Sequence, residues 1–215
     1  MRNVMPDLSL YLVTDRSLSL GRSTVDIVSA AVAGGVTCVQ LREKHCGTRE
    51  FVAEARAVRE VLAGTGIALI INDRIDVALA VGADGVHLGQ TDMLIADARR
   101  LVGAGMLIGI SAECVEDAVR AQAEGADYIG ISPVFCTPTK TDTAPALGLD
   151  GIARIRAAVS VPLVGIGGIG PGNAAEVIRA GCDGVAVVSA IVSAPDPQRA
   201  AAELQTIIHA AKELP

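Results

Sequence analysis

The sequence predicts an α/β protein built as a single (β/α)8 TIM barrel, and three observations predict it. Eight short apolar runs, YLVTD, CVQLREK, ALIIND, VHLGQTD, LIGISAE, YIGISPVFCTPTK, LVGIGG and VAVVSA, each close on a polar tag. Each run is followed by a helix-compatible stretch, the alternation expected of βα units around a parallel sheet. A helix-to-strand passage echoes four times, as AGGVTCVQL, VGADGVHLG, EGADYIGIS and AGCDGVAVV, at the second, fourth, sixth and eighth runs. That recurrence favours a closed barrel over an open doubly wound sheet, which would carry GxGxxG at its first turn; the nearest pattern, GIGGIG from Gly165 to Gly170, lies near the seventh run. In a closed parallel barrel all C-terminal strand ends open on one mouth, so the polar tags become neighbours and form the candidate active site.

The elements follow in order. The strands are short and rich in Val, Ile, Leu and Gly, often continuous rather than alternating, as expected when both faces of a parallel sheet are covered. After the second strand, Thr48 is the expected cap of a helix in which Phe51, Ala55, Val58 and Leu62 recur at spacings of four, three and four, a single apolar stripe to face the barrel wall. In the echoes, the glycine at each helix end answers a common need for φ > 0. After the sixth strand, Thr137, Thr139 and Lys140 begin a stretch with four threonines, two prolines and Asp142 before helical periodicity resumes at Gly148; a loop of that length in a compact barrel is expected to be a lid. The last segment opens with Asp196 and Pro197, a cap and a first-turn proline, and runs through Leu204, Ile207, Ile208 and Ala211 as the expected eighth helix.

A chain of 215 residues buries roughly 70% of its extended surface, enough for one core, so residues 1–215 read as one domain. The net charge of −6, two Phe, two Tyr and no Trp argue against a nucleic-acid surface, which needs a basic track and stacking rings. The longest uncharged stretch, Ala157 to Ala175, holds five glycines and two prolines, a poor membrane span. Asp15 interrupts the first apolar run before a secretory core can form, so the expected location is the cytoplasm. The five cysteines, Cys38, Cys46, Cys114, Cys136 and Cys182, make no CxxC pair and an odd count, which fits reduced thiols. Cys136, with no His nearby in sequence, reads as a bystander, and His87 as a hydrogen-bonded barrel residue rather than a zinc ligand.

The tags divide by chemistry. In QLREK, Gln40, Arg42 and Lys44 share one face of an extended strand while Glu43 points the other way, which suits two cations and an amide to converge on an anion; solvated charges at a surface strand end are the plainer alternative. Asn72 and Asp73 end the third strand and Asp92 follows the fourth; two carboxylates there suit Mg2+, which keeps several waters and takes phosphate oxygens as further ligands. The alternative for Asp73 is a helix cap, since Arg74 begins a helical pattern. Gly167 and Gly168 after the seventh strand and Val188 and Ser189 after the eighth match the phosphate loops of such barrels; close packing of the glycines is the plainer alternative.

Taken together, QLREK, IND, HLGQTD, Ser111, TPTK, APALGL, VGIGGI and VVSAI resemble, in order, the motifs of the thiamine phosphate synthase family, over nearly the whole chain from Tyr11 to about Pro197. The resemblance implies a (β/α)8 barrel that joins a hydroxymethylpyrimidine pyrophosphate to a thiazole phosphate (or its carboxylated form), giving thiamine phosphate and pyrophosphate with Mg2+ as cofactor. It implies that Gln40, Leu41, Arg42, Glu43, Lys44, Asn72, Ser111 and Lys140 hold the pyrimidine pyrophosphate, and that Asp73 and Asp92 bind the metal. Thr137, Pro138, Thr139, Gly168, Val188 and Ser189 would receive the thiazole phosphate, with Arg42 and Lys140 acting on the leaving group. The implied mechanism is dissociative and needs little acid–base machinery, because the catalyst neutralises the leaving group and positions the nucleophile. The expected partners are these small phosphorylated substrates, with no nucleic acid and no membrane, and the sequence is compatible with a homo-oligomer. One position departs from the pattern: Glu113 stands where many relatives carry His, the residue that related thiazole tautomerases use for proton transfer. A tautomerase is therefore a weaker reading than a synthase, and so is a non-catalytic regulatory paralogue, because Asp73, Asp92 and Lys140 are retained.

Overall fold

The structure, a computed structural model, describes residues 5–136 and 145–213. Eight parallel strands, β1 (Leu10–Val13), β2 (Cys38–Leu41), β3 (Ala68–Asn72), β4 (Gly85–Leu88), β5 (Leu107–Ala112), β6 (Tyr128–Ile131), β7 (Leu163–Ile166) and β8 (Gly184–Val187), form a closed barrel. Closure is made by β1 against β8, with Tyr11 opposite Ala186. Around it lie α1 (Thr24–Ala33), α2 (Thr48–Leu62), α3 (Ile75–Val81), α4 (Ile95–Val102), α5 (Val115–Ala123), α6 (Gly148–Ala158) and α7 (Ala174–Arg179), then a one-turn α8 (Ser189–Val192) and the closing α9 (Pro197–Glu213). The segment expected to be the eighth helix is thus the ninth, because a short helix begins directly after β8. Alternate strand residues serve two cores. Leu10, Leu12, Leu41, Ile71 and Ile129 face the helices, while Tyr11, Cys38, Ile70, Leu107 and Tyr128 fill the barrel.

Helix α2 buries the anticipated stripe of Phe51, Ala55, Val58 and Leu62. Its cap differs from expectation: Gly47 occupies the N-cap without a side-chain bond, and the Thr48 hydroxyl instead accepts from Arg74. At α9, Asp196 Oδ1 does cap, accepting from the Arg199 N–H at 3.0 Å.

The fourfold echo has a physical cause. Each echo glycine, Gly35, Gly82, Gly125 and Gly181, adopts positive φ, and the residue that opens the way into each even strand clamps the strand before it. Thr37 Oγ1 accepts from the Leu10 N–H at 3.0 Å. Asp84, Asp127 and Asp183 accept at 2.8 Å from Leu69, Ile108 and Leu163. Arg99 and Arg156 brace the last two of these carboxylates. The bottom of the barrel is therefore a ring of four side-chain clamps, and the opposite end is left for chemistry.

Candidate active site

The C-terminal mouth opens into a cavity of about 860 Å³. Strand β2 ends so that Gln40, Arg42 and Lys44 line this cavity. Period-two alternation turns their neighbours away: Leu41 lies in the outer core, and Glu43 faces Arg16 at 3.6 Å. Leu41 and Glu43, carried with the QLREK run as substrate contacts, are thus directed behind the wall. Burial, and next Glu54, pushes the Glu43 carboxyl above its ordinary value. Arg42 is held from the adjoining loop, with Nη1 3.2 Å from Asp15 Oδ2 and its backbone N–H donating to Thr14 Oγ1 at 3.0 Å.

Asn72, Asp73 and Asp92 also line the mouth. Asp73 adopts φ 59°, an uncommon conformation for a residue with a Cβ, and its N–H donates to the His87 carbonyl at 2.9 Å. Its carboxylate does not cap α3, whose N-cap is Arg74; it receives Lys44 Nζ at 2.5 Å on Oδ2. Asp92 accepts from the Gly89 N–H at 2.7 Å. Burial foremost, and then the adjacent Asp73, raises the Asp92 pKa, while the Gly89 N–H and Lys44 oppose the rise. Two carboxylates that disfavour each other's charge, beside one ammonium, make a place that gains from a cation.

Across the cavity are Gly167, Gly168, Val188 and Ser189. Gly167 and Gly168 have φ of 102° and 65°, and a Cβ at Gly168 would stand 2.8 Å from the Cys136 carbonyl oxygen. Close packing and exposure to the cavity hold together here, so the two alternatives for these glycines do not compete. Asn173 fixes the loop's shape, accepting from the Gly170 N–H and donating to the Gly168 carbonyl, both at 2.9 Å. At the other loop, Ser189 begins α8, and first-turn N–H groups of a helix have no intrahelical partner. Thr137, Pro138, Thr139 and Lys140 lie outside the described residues.

The floor holds a polar network that sequence reasoning missed. Gln40 Nε2 donates to Tyr11 Oη at 3.0 Å, and Tyr11 Oη lies 2.9 Å from Tyr128 Oη. Tyr128 Oη lies 3.0 Å from His87 Nδ1, and His87 Nε2 lies 3.0 Å from Ser111 Oγ. Room for the rings comes from missing side chains: a Cβ at Gly109 would stand 2.1 Å from the Tyr128 ring, and one at Gly130 3.0 Å from His87. The His87 ring is reached from the cavity yet surrounded by protein, and that burial pushes its pKa down to about 4, against the opposing charge of Asp92. His87 is thus hydrogen-bonded, as expected, and a cavity residue as well. The signal available beforehand was that the chain's two tyrosines both fall in strand runs.

Known proteins resemble this chain closely. A family model described as thiamine monophosphate synthase matches residues 10–191. A thiamine-phosphate synthase of Albidiferax ferrireducens is 57% identical over 203 residues, 94% of this chain and 93% of that protein. One from Chloroflexus aurantiacus is 52% identical over 207 residues, covering 96% and 95% respectively. The solved structure of a thiamine phosphate pyrophosphorylase from Pyrococcus furiosus superposes with a TM-score of 0.89 at 40% identity, covering 95% of this chain and 97% of that one.

Proposed function

The chain belongs to the thiamine monophosphate synthase family, and from that membership we propose that it joins a pyrimidine methyl pyrophosphate to a thiazole phosphate, releasing pyrophosphate and thiamine phosphate. The single observation that carries the reading is two poles of different chemistry facing one cavity, a cluster of cations and carboxylates and a pair of small-residue loops. Arg42 and Lys44 stand with Asp73 and Asp92 at β2 to β4, and Gly167, Gly168, Val188 and Ser189 stand at β7 and β8.

The donor set at the first pole fits Mg2+. Asp73 and Asp92 supply two carboxylates whose mutual repulsion a cation relieves, and Mg2+ ordinarily takes one or two carboxylates with phosphate oxygens and water. Mg2+ held by Asp73 and Asp92 would offset the charge that grows on the departing pyrophosphate. Arg42, and Lys140 from the β6 loop, would add donors to the same oxygens. The loops after β7 and β8 would hold the thiazole phosphate by backbone N–H groups, so that the ring nitrogen faces the pyrimidine methylene.

The proposed substitution is dissociative. The methylene C–O bond breaks with its electron pair leaving on pyrophosphate, the amino-substituted ring stabilises the resulting cation, and the thiazole nitrogen lone pair forms the new C–N bond. No proton transfer is required, so the site's work is orientation and charge neutralisation. The test is direct: purified protein with Mg2+ and both substrates yields thiamine phosphate and pyrophosphate in equal amounts, and omission of either substrate abolishes both. No product from folded protein contradicts the proposal. Aromatisation of the thiazole carboxylate phosphate without the pyrimidine substrate would instead establish the tautomerase reading.

A further inference from the structure

The network under the cavity has a direction as well as a geometry. Gln40 meets Tyr11 through Nε2, and an amide nitrogen can only donate. Tyr11 Oη therefore accepts there, and its single proton goes to Tyr128 Oη at 2.9 Å rather than to its other neighbour, Cys38, whose sulfur is a weak acceptor. Tyr128 must then give its own proton to His87 Nδ1. A neutral imidazole carries one N–H, so with Nδ1 accepting, the proton sits on Nε2 and points to Ser111 Oγ. With Ser111 Oγ accepting from His87, its own hydroxyl hydrogen is left for the cavity that Ser111 lines.

We infer that Tyr11, Tyr128 and His87 are positioning residues that hold Ser111 as a hydrogen-bond donor to the leaving pyrophosphate, through a one-way chain running from Gln40 to Ser111. The functional half of this inference rests on the synthase reading. The reverse polarity would have Ser111 donate to His87, presenting only lone pairs to an anion, which is repulsive. It would also turn the Gln40 amide over, so that the end not bonded to Tyr11 would be NH2 rather than a carbonyl, in a residue that lines the cavity. A substrate that carries an anion at one end and an amino group at the other selects the forward polarity at both ends. Gly109 and Gly130 keep the chain in register, since a Cβ at either would displace the Tyr128 or His87 ring. The chain spans β1, β2, β4, β5 and β6, so it also ties the floor across the barrel.

The test is the tautomer of His87, read by long-range 1H–15N NMR on the 15N-labelled full-length protein at neutral pH. The chain has only three histidines, and His45→Gln and His209→Gln variants assign the signals. The expected result is a single neutral Nε2–H form. Tyr128→Phe, which keeps the ring over Gly109 but removes the proton given to Nδ1, should release the lock and admit the Nδ1–H form. The same variant should lower kcat by about tenfold or more, the loss of a hydrogen bond to a charged group, with KM for the thiazole phosphate unchanged within about twofold. An Nδ1–H form or an imidazolium in the wild-type protein overturns the inference, as does an unchanged tautomer or an unchanged kcat in Tyr128→Phe. The tautomer is read without turnover. A locked Nε2–H form in a protein that makes no thiamine phosphate therefore overturns the synthase reading and leaves the hydrogen-bond direction standing.

Discussion

Lys44 Nζ lies 2.5 Å from Asp73 Oδ2, so the end of β2 and the end of β3 share one charge pair at the mouth of the barrel. With Asp92 also facing this pair, a divalent cation would compete with Lys44 for Asp73 and free the ammonium for phosphate. The Asp73→Asn variant tests this cleanly, because Asn tolerates the left-handed φ that Asp73 adopts. The Mg2+ concentration for half-maximal rate should rise by at least about tenfold, while thermal unfolding stays within a few degrees of the wild type. An unchanged Mg2+ titration would remove Asp73 from the metal site.

Gly168→Ala should act on one substrate and not the other. The new Cβ meets the Cys136 carbonyl oxygen at 2.8 Å at a φ of 65°, so the loop proposed to receive the phosphate must shift. Steady-state kinetics should show KM for the thiazole phosphate raised about tenfold and KM for the pyrimidine pyrophosphate within about twofold. Equal increases in both would place Gly168 outside a dedicated phosphate pole.

The clamps at the far end concern stability alone. In Asp127→Ala the Ile108 N–H and Arg99 lose the carboxylate that accepts from both. Removing one partner from such a part-buried arrangement costs about 2 kcal/mol, measurable as a lower urea midpoint, with both KM values unchanged. A change in KM would mean that the clamps shape the mouth as well.

His87 gives a pH signature. Its pKa falls from the ordinary 6.5 to about 4 in the folded protein, so the unfolded chain binds the proton first as pH drops. The stability held by this neutral ring is intact above pH 6.5 and is lost between pH 6.5 and about pH 4, a swing of about 3 kcal/mol. Urea unfolding of wild-type and His87→Gln proteins across that range should show the steeper fall in the wild type. Parallel curves would mean that the ring is not held neutral.

Much of the barrel was legible because its period is chemical: an apolar run, a polar tag, a helix, and every second time a glycine with a clamp. Alternation along QLREK correctly separated Arg42 and Lys44 from Glu43, since side-chain direction in a strand needs no tertiary information. The same motif taken as a block carried Leu41 and Glu43 into the site, where strand geometry does not put them. Tyr11 and Tyr128 escaped notice, and His87 reads in sequence as a hydrogen-bonded barrel residue but not as part of the site, because all three sit inside the strands rather than at the tags, where a ring reads as core. Only the approach of five strands turns those rings into a polar chain. Helix α8 escaped too, being one turn long, and the Thr48 cap failed because Gly47 can enter the helix without a side-chain bond.

The most direct measurement is the crystal structure of the protein with Mg2+, pyrophosphate and thiamine phosphate bound together. The account predicts pyrophosphate and Mg2+ beside Asp73, Asp92 and Arg42, with the phosphate of thiamine phosphate at Gly168 and Ser189 across the cavity. Both anions at the same pole, or a metal that touches neither carboxylate, would contradict it.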